Sequence, residues 1–199
     1  MAEVGSGATG SRRLELLEIA ATLFAERGFK NTTVRDIADA AGILSGSLYH
    51  HFDSKESMVD ELLDSFQRGL WEEYDAIEAS ERTPREKLEA IVRASFDAID
   101  SHHSEVAIFQ TDAAYLAGFE RFAYLQERNV RFQTLWTGLL RDGVAAGELR
   151  ADLDVELVYR FLRDTVWVAV RWYRPGGTLS PSDVADQYLS ILLEGIRHG

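Results

Sequence analysis

The sequence holds no cysteine and, among 199 residues, only three prolines, Pro84, Pro175 and Pro181. The first absence excludes disulfides, thiolate metal sites and cysteine nucleophiles, and the second leaves long stretches with nothing to interrupt a helix. No apolar run approaches the ~18 residues of a membrane span, and the start, MAEVGSGATGS, has neither the basic nor the apolar region of a secretory signal. A cytoplasmic protein with no membrane partner is expected, with residues 1–11 as a flexible tail. Positive charge is also scarce, since 21 Lys and Arg stand against 33 Asp and Glu for a net charge of −12. The acid is unevenly placed: residues 1–52 carry Arg12, Arg13, Arg27, Lys30 and Arg35 against six carboxylates, so nearly all the excess lies beyond residue 52. A near-neutral head can neutralise phosphates locally while an acidic body suppresses promiscuous binding.

What the chain does have is 46% hydrophobic residues, recurring at three- and four-residue spacing rather than alternating. The fold class is therefore all-α, with about nine helices. A helix over 12–27 ends at Gly28, and a second begins at Thr33, where Thr33 and Asp36 have capping-box spacing, and stops at Gly42. A third, over 45–51, starts with Ser45 as its cap; Asp53 and Glu56 cap a long fourth over 54–79. Further helices are expected over 84–101, 104–116, 120–146, 153–173 and 181–196. The 120–146 segment carries Phe122, Leu125, Asn129, Phe132, Trp136 and Leu139 on one stripe.

Three helices in the first 52 residues, two of them short and joined through Gly42, have the form of a helix-turn-helix. Ser45, Gly46, Ser47, Tyr49 and His50 give the last one a small polar face that can enter a major groove about 12 Å wide. The run Thr33-Val-Arg-Asp-Ile-Ala-Asp-Ala-Ala-Gly, followed by Gly46-Ser-Leu-Tyr-His-His-Phe-Asp-Ser-Lys-Glu, resembles the TetR family of bacterial repressors. That resemblance implies a helix-turn-helix domain over 12–54 and a helical effector-binding and dimerisation domain over 55–199. It implies phosphate-positioning roles for Thr32, Thr33, Arg35, Tyr49, His51 and Lys55, and base-edge contacts for Leu44, Ser45, Gly46, Ser47 and His50. For each the plainer reading stands beside it: Thr33 can merely cap, Tyr49 pack and Lys55 be solvated. The implied partners are a palindromic double-stranded operator, a second copy of the chain and a small effector.

Val158, Leu162, Val166 and Ala169, with Tyr188, Ile191, Leu192 and Gly195, supply two apolar stripes that either pair two subunits or fill a core. Arg163, Trp167 and Arg171 recur at one-turn spacing, and guanidinium interleaved with indole can hold an anion. With Phe109, Phe122 and Trp136 they would suit an acyl-coenzyme A; a solvated arginine face over a packed tryptophan is the alternative. Residues 35–52 together with 157–177 resemble TetR repressors of the late, ring-degrading steps of cholesterol catabolism, which implies a coenzyme A thioester of a steroid-ring fragment as effector. No resident cofactor is implied.

Other signals carry little. The letters Gly5-Ser-Gly-Ala-Thr-Gly fit a dinucleotide fingerprint but follow no strand. His102-His103 lacks a third ligand at metal spacing and suits a helix end. An acyl-coenzyme A enzyme or carrier without DNA binding is the competing class; it has no use for an exposed 45–51 helix, and no nucleophile or base constellation is recognisable, so no enzyme is expected.

Overall fold

The computed structural model describes residues 5–196, with side chains described from 11 to 194. Nine α-helices stand among them: α1 Gly5–Arg27, α2 Val34–Ala40, α3 Ser45–Leu48, α4 Lys55–Glu78, α5 Pro84–Ser101, α6 His103–Leu116, α7 Ala123–Ala145, α8 Val155–Val166 and α9 Pro181–Ile196. Two 3-10 turns, Glu120–Phe122 and Trp167–Arg171, lead into α7 and out of α8.

The local signals act where the sequence places them. Thr33 caps α2, its hydroxyl accepting the Asp36 N–H at 3.1 Å while the Asp36 carboxylate accepts the Thr33 N–H at 2.7 Å. This box holds the Asp36 carboxyl below its ordinary range. Gly42 turns the chain at φ +66°, which an L side chain resists, and α5 opens on Thr83 and Pro84. Thr33→Ala should lower the unfolding free energy by about 1 kcal/mol and Thr33→Ser much less, read by denaturant unfolding.

Four expectations are corrected. The first helix starts at Gly5 rather than near Arg12, because an established helix propagates at one hydrogen bond per residue even through weak formers; residues 1–4 of the expected tail lie outside the described residues. Ser45 is the first helical residue of α3, not its cap, and α3 gives way after Leu48 to tighter turns in which the His50 and His51 N–H groups donate to Ser47 and Leu48. The cap of α4 is Ser54 with Ser57, not Asp53 with Glu56. The expected 153–173 helix breaks at Trp167 into a 3-10 turn that buries Trp167, Ala169 and Val170 together.

Two apolar cores form. The larger joins α4, α5, α7, α8 and α9 around Trp136, Tyr74, Leu162 and Val166. Tyr74 is fully buried, its hydroxyl 2.6 Å from Ser95 Oγ, and burial keeps the phenol protonated far above its ordinary range. The smaller lies under α1–α3, yet Met58 and Leu63 of α4, Ile108 and Leu116 of α6, and Phe122 and Leu125 complete it. The head therefore does not close at residue 54.

A polar knot reinforces that junction. Asp112 of α6, nearly buried, accepts the Phe29 N–H at 3.0 Å, and the Lys55 ammonium donates to the carbonyls of Phe29 and Thr32 at 2.7 and 2.9 Å. Leu162, Val166 and Ala169 are fully buried and Val158 packs beside them, so that stripe fills the protomer's own core. The apolar groups left outside on α8 and α9 are Leu157, Phe161 and Ile191, 45%, 61% and 75% exposed; Gly195 lies beyond the described side chains.

Candidate functional site

The head presents the face that the helix-turn-helix spacing requires. Leu48 is buried and anchors α3, while Leu44, Gly46, Tyr49 and His50 stand exposed and Ser45, Ser47 and His51 half-buried around it. Leu44 is 80% exposed, a cost that a solitary apolar side chain at the helix entry bears only lightly. Arg35 pairs loosely with Asp39 at 3.6 Å, both side chains largely in solvent and free to turn. Thr33 is exposed at the α2 N-terminus, where N–H groups and the helix dipole favour an anion, although its hydroxyl already serves the cap.

Two residues expected at phosphates are otherwise engaged. Thr32 is fully buried, its hydroxyl donating to the carbonyls of Gly28 at 3.0 Å and Leu23 at 3.2 Å. Lys55 is drawn back over the Phe29 ring, 4.0 Å from its centroid, and burial lowers its pKa. Both hold the loop before α2 in place. In the free chain these contacts engage both side chains within the head.

In the body, a cavity of about 380 Å³ lies between α4, α6, α7 and the α8 terminus. One wall is apolar: Phe66, Leu70 and Trp71 from α4, Phe109 from α6, Phe132 from α7, and Trp167. The Trp167 ring stands edge-on to Phe66 and Phe132 at 6.5 and 6.0 Å. Its indole nitrogen, like that of Trp136 in the body core, is buried with no hydrogen-bond partner among the described residues. The other wall carries Gln67, Gln110, Gln126, Asn129, Arg128 and Arg163. Asp164 is the one carboxylate of the lining, and Arg163 holds it at 2.7 Å. Donors and positive charge thus outnumber acidic groups, suiting an anionic, carbonyl-bearing, partly apolar guest.

Of the residues expected at an effector, Arg163, Trp167 and Phe109 line this cavity. Arg171, Trp136 and Phe122 do not. From Trp167 on, the 3-10 turn advances each residue by about 20° more than an α-helix does, which carries Arg171 off the Arg163–Trp167 face and out to solvent. Trp136 and Phe122 are fully buried in the body and head cores respectively. The α4 residues, Gln67 among them, were not expected, and α7 contributes Arg128, Asn129 and Phe132 in place of the expected Trp136. A sequence signal for them existed: Asn129 interrupts the otherwise apolar stripe Leu125, Phe132, Trp136, and a polar group there needs a partner or a cavity. His102 closes α5, and the His103 ring meets the backbone carbonyls of Val170 and Tyr173, so neither addresses a metal.

Among the described residues no helix is long and apolar enough to cross a membrane. Residues 16–62 match the model of the bacterial regulatory proteins of the tetR family, and residues 81–196 that of the tetracyclin repressor-like C-terminal domain. The HTH-type transcriptional repressor KstR2 of Rhodococcus jostii (strain RHA1) is 62% identical over 191 residues, 96% of this chain and 93% of its own length. The repressor of the same name from Mycobacterium tuberculosis is 56% identical over 191 residues, 96% of each. The solved structure of ketosteroid transcriptional regulator KstR2 of Mycobacterium tuberculosis superposes with a TM-score of 0.92 at 54% identity, covering 99% of this chain and 98% of that one. An exposed helix-turn-helix packed onto a helical body that encloses a ligand-sized cavity, matched end to end by repressors, leaves one conclusion: the chain belongs to the TetR family and is a ligand-responsive, DNA-binding transcriptional repressor rather than an enzyme.

Proposed function

We propose that the protein represses genes of steroid-ring breakdown by binding a two-fold symmetric operator as a homodimer, and that a coenzyme A thioester of a ring-degradation intermediate releases it. The observation that carries this reading is the Arg163–Trp167 pair lining the cavity, a part-exposed guanidinium one turn from an indole ring. A cavity of about 380 Å³ holds a ring-bearing acyl group. The thioester chain leaves past Arg163, whose side chain is 45% exposed. The name of the relative, ketosteroid regulator, supports the steroid part.

Leu157 and Phe161, one turn apart on α8, and Ile191 on α9 support an apolar dimer face. Two heads joined there address successive major-groove turns, and Ser45, Gly46, Ser47 and His50 read base edges while Thr33, Arg35, Tyr49 and His51 fix register on phosphates. Release follows when the ligand favours a dimer whose heads are wrongly spaced; reciprocity requires DNA to weaken the ligand by the same factor.

The test is fluorescence anisotropy on the promoter DNA beside the gene, titrated with the coenzyme A thioester of a saturated bicyclic keto acid, the free acid, and coenzyme A alone. The thioester should release DNA and the free acid should not. Arg163→Met removes charge and keeps the stem, so it should retain operator affinity and need roughly tenfold more thioester. Trp167→Phe keeps a ring and deletes the donor. Release of Arg163→Met at the wild-type thioester concentration would sink the pocket assignment.

A further inference from the structure

We propose that Arg128 reads the anionic or carbonyl end of the cavity ligand by exchanging partners with α4, and that this exchange reports cavity occupancy to the DNA-binding head. The proposal rests on the cavity being the effector site, and its test separates the two.

Arg128 lines the cavity and at the same time grips α4: its guanidinium donates to Asp64 Oδ1 at 2.6 Å and to Gln67 Oε1 at 3.2 Å, lying 4.4 Å over the Tyr124 ring. Gln67 lines the cavity too. One side chain therefore faces two acceptors on α4 and whatever fills the cavity. The contact is part of a longer seam. Asp60 of α4 accepts the Tyr124 hydroxyl at 3.0 Å and pairs with Arg121 at 3.3 Å, and Asp75 pairs with Arg131, which stacks over Trp71. The α4 backbone packs closely on α1, α5 and α6 but hardly on α7, so side chains join the two helices, these charged arms together with apolar pairs such as Tyr74 and Phe132.

The pair is weak enough to exchange. Asp64 is 42% and Arg128 25% exposed, a setting in which ion pairs contribute at most about 1 kcal/mol. A ligand anion in the cavity competes for Arg128 from the side that Asp64 and Gln67 leave open. Asp64 is not stranded when Arg128 leaves, because Arg68 stands 3.9 Å away on the next turn and water reaches the carboxylate. Release at Asp64 and Gln67 then acts on a single helix about 36 Å long. Its N-terminal end, one turn before Asp64, belongs to the head, with Glu61 held by Arg13 of α1 and Lys55 held by the loop before α2.

Asp64→Asn and Arg128→Gln separate this role from simple support. Both remove the latch, so each should weaken operator binding without ligand by about threefold to tenfold, and the double variant no further than either. On ligand affinity, measured calorimetrically with the bicyclic keto-acid thioester, they should diverge. Asp64→Asn frees Arg128 and tightens binding severalfold; Arg128→Gln loosens it. In both the ratio of thioester affinities with and without operator should shrink toward one, whereas Arg128→Lys should restore part of it. Additive operator effects, or loosened ligand binding in both variants with an unchanged ratio, would overturn the proposal. If the wild type ignores every thioester, the effector assignment fails and the operator cycle alone decides whether the latch exists.

Discussion

Operator affinity should fall roughly 10- to 100-fold when salt rises from about 50 to about 200 mM, because each neutralised phosphate releases a counterion and two to four such contacts set the slope. The number is modest for a DNA-binding protein, and the structure says why. Of the cations near the head, Lys55 is committed to backbone carbonyls, Arg13 to Glu61, and Arg12 to Glu15 and the Ala41 carbonyl, while Lys30 lies over the Tyr115 ring. Arg35, 83% exposed, remains free to turn toward a phosphate in each protomer. The chain carries a net charge of −12, so attraction comes from a few local groups rather than from the field of the whole molecule. Within the same experiment Tyr49→Phe should weaken all sequences alike, while Ser47→Ala and His50→Ala should change which bases are preferred. A salt-insensitive operator complex would remove the phosphate roles of Arg35, Tyr49 and His51; uniform loss at Ser47 and His50 would remove the base-reading role.

Trp136→Ala should cost about 3–5 kcal/mol and lower the melting temperature by roughly 10 °C or more. Trp136 is fully buried beneath Phe132, with ring centroids 5.4 Å apart, and contributes to the body core rather than to the cavity lining. Its indole nitrogen is also unpartnered among the described residues, so Trp136→Phe, which removes that donor and keeps an aromatic, should cost far less. Trp167 differs in doing both: Trp167→Leu should alter ligand response as well as stability, since that ring is buried in the same core and also lines the cavity. Calorimetric unfolding beside anisotropy distinguishes the two tryptophans; equal melting temperatures for Trp136→Ala and wild type would show that the core assignment is wrong.

By itself the sequence determined most of what is satisfied within a turn or two of chain, although the caps of α3 and α4 sit one residue from Ser45 and Asp53. The Thr33–Asp36 box, the Gly42 turn, the Pro84 start and the apolar stripes of the long helices all appear where spacing places them, because caps and glycine turns need only residues three or four apart. The helix-turn-helix was readable for that reason, its residues lying within one short segment. Tertiary structure decided what depends on distant neighbours. The Lys55 ammonium finds the Thr32 carbonyl across 23 residues of chain, and Arg128 finds Asp64 across 64. An apolar stripe such as Leu162 and Val166 looks the same in sequence whether it meets its own core or a partner, and an aromatic residue at helical spacing carries no mark that separates the wall of a cavity from its filling. Only the packing of α4, α6, α7 and α8 leaves Trp167 against space and Trp136 against Phe132, because a cavity exists where side chains from several elements fail to meet, and no single segment encodes that gap.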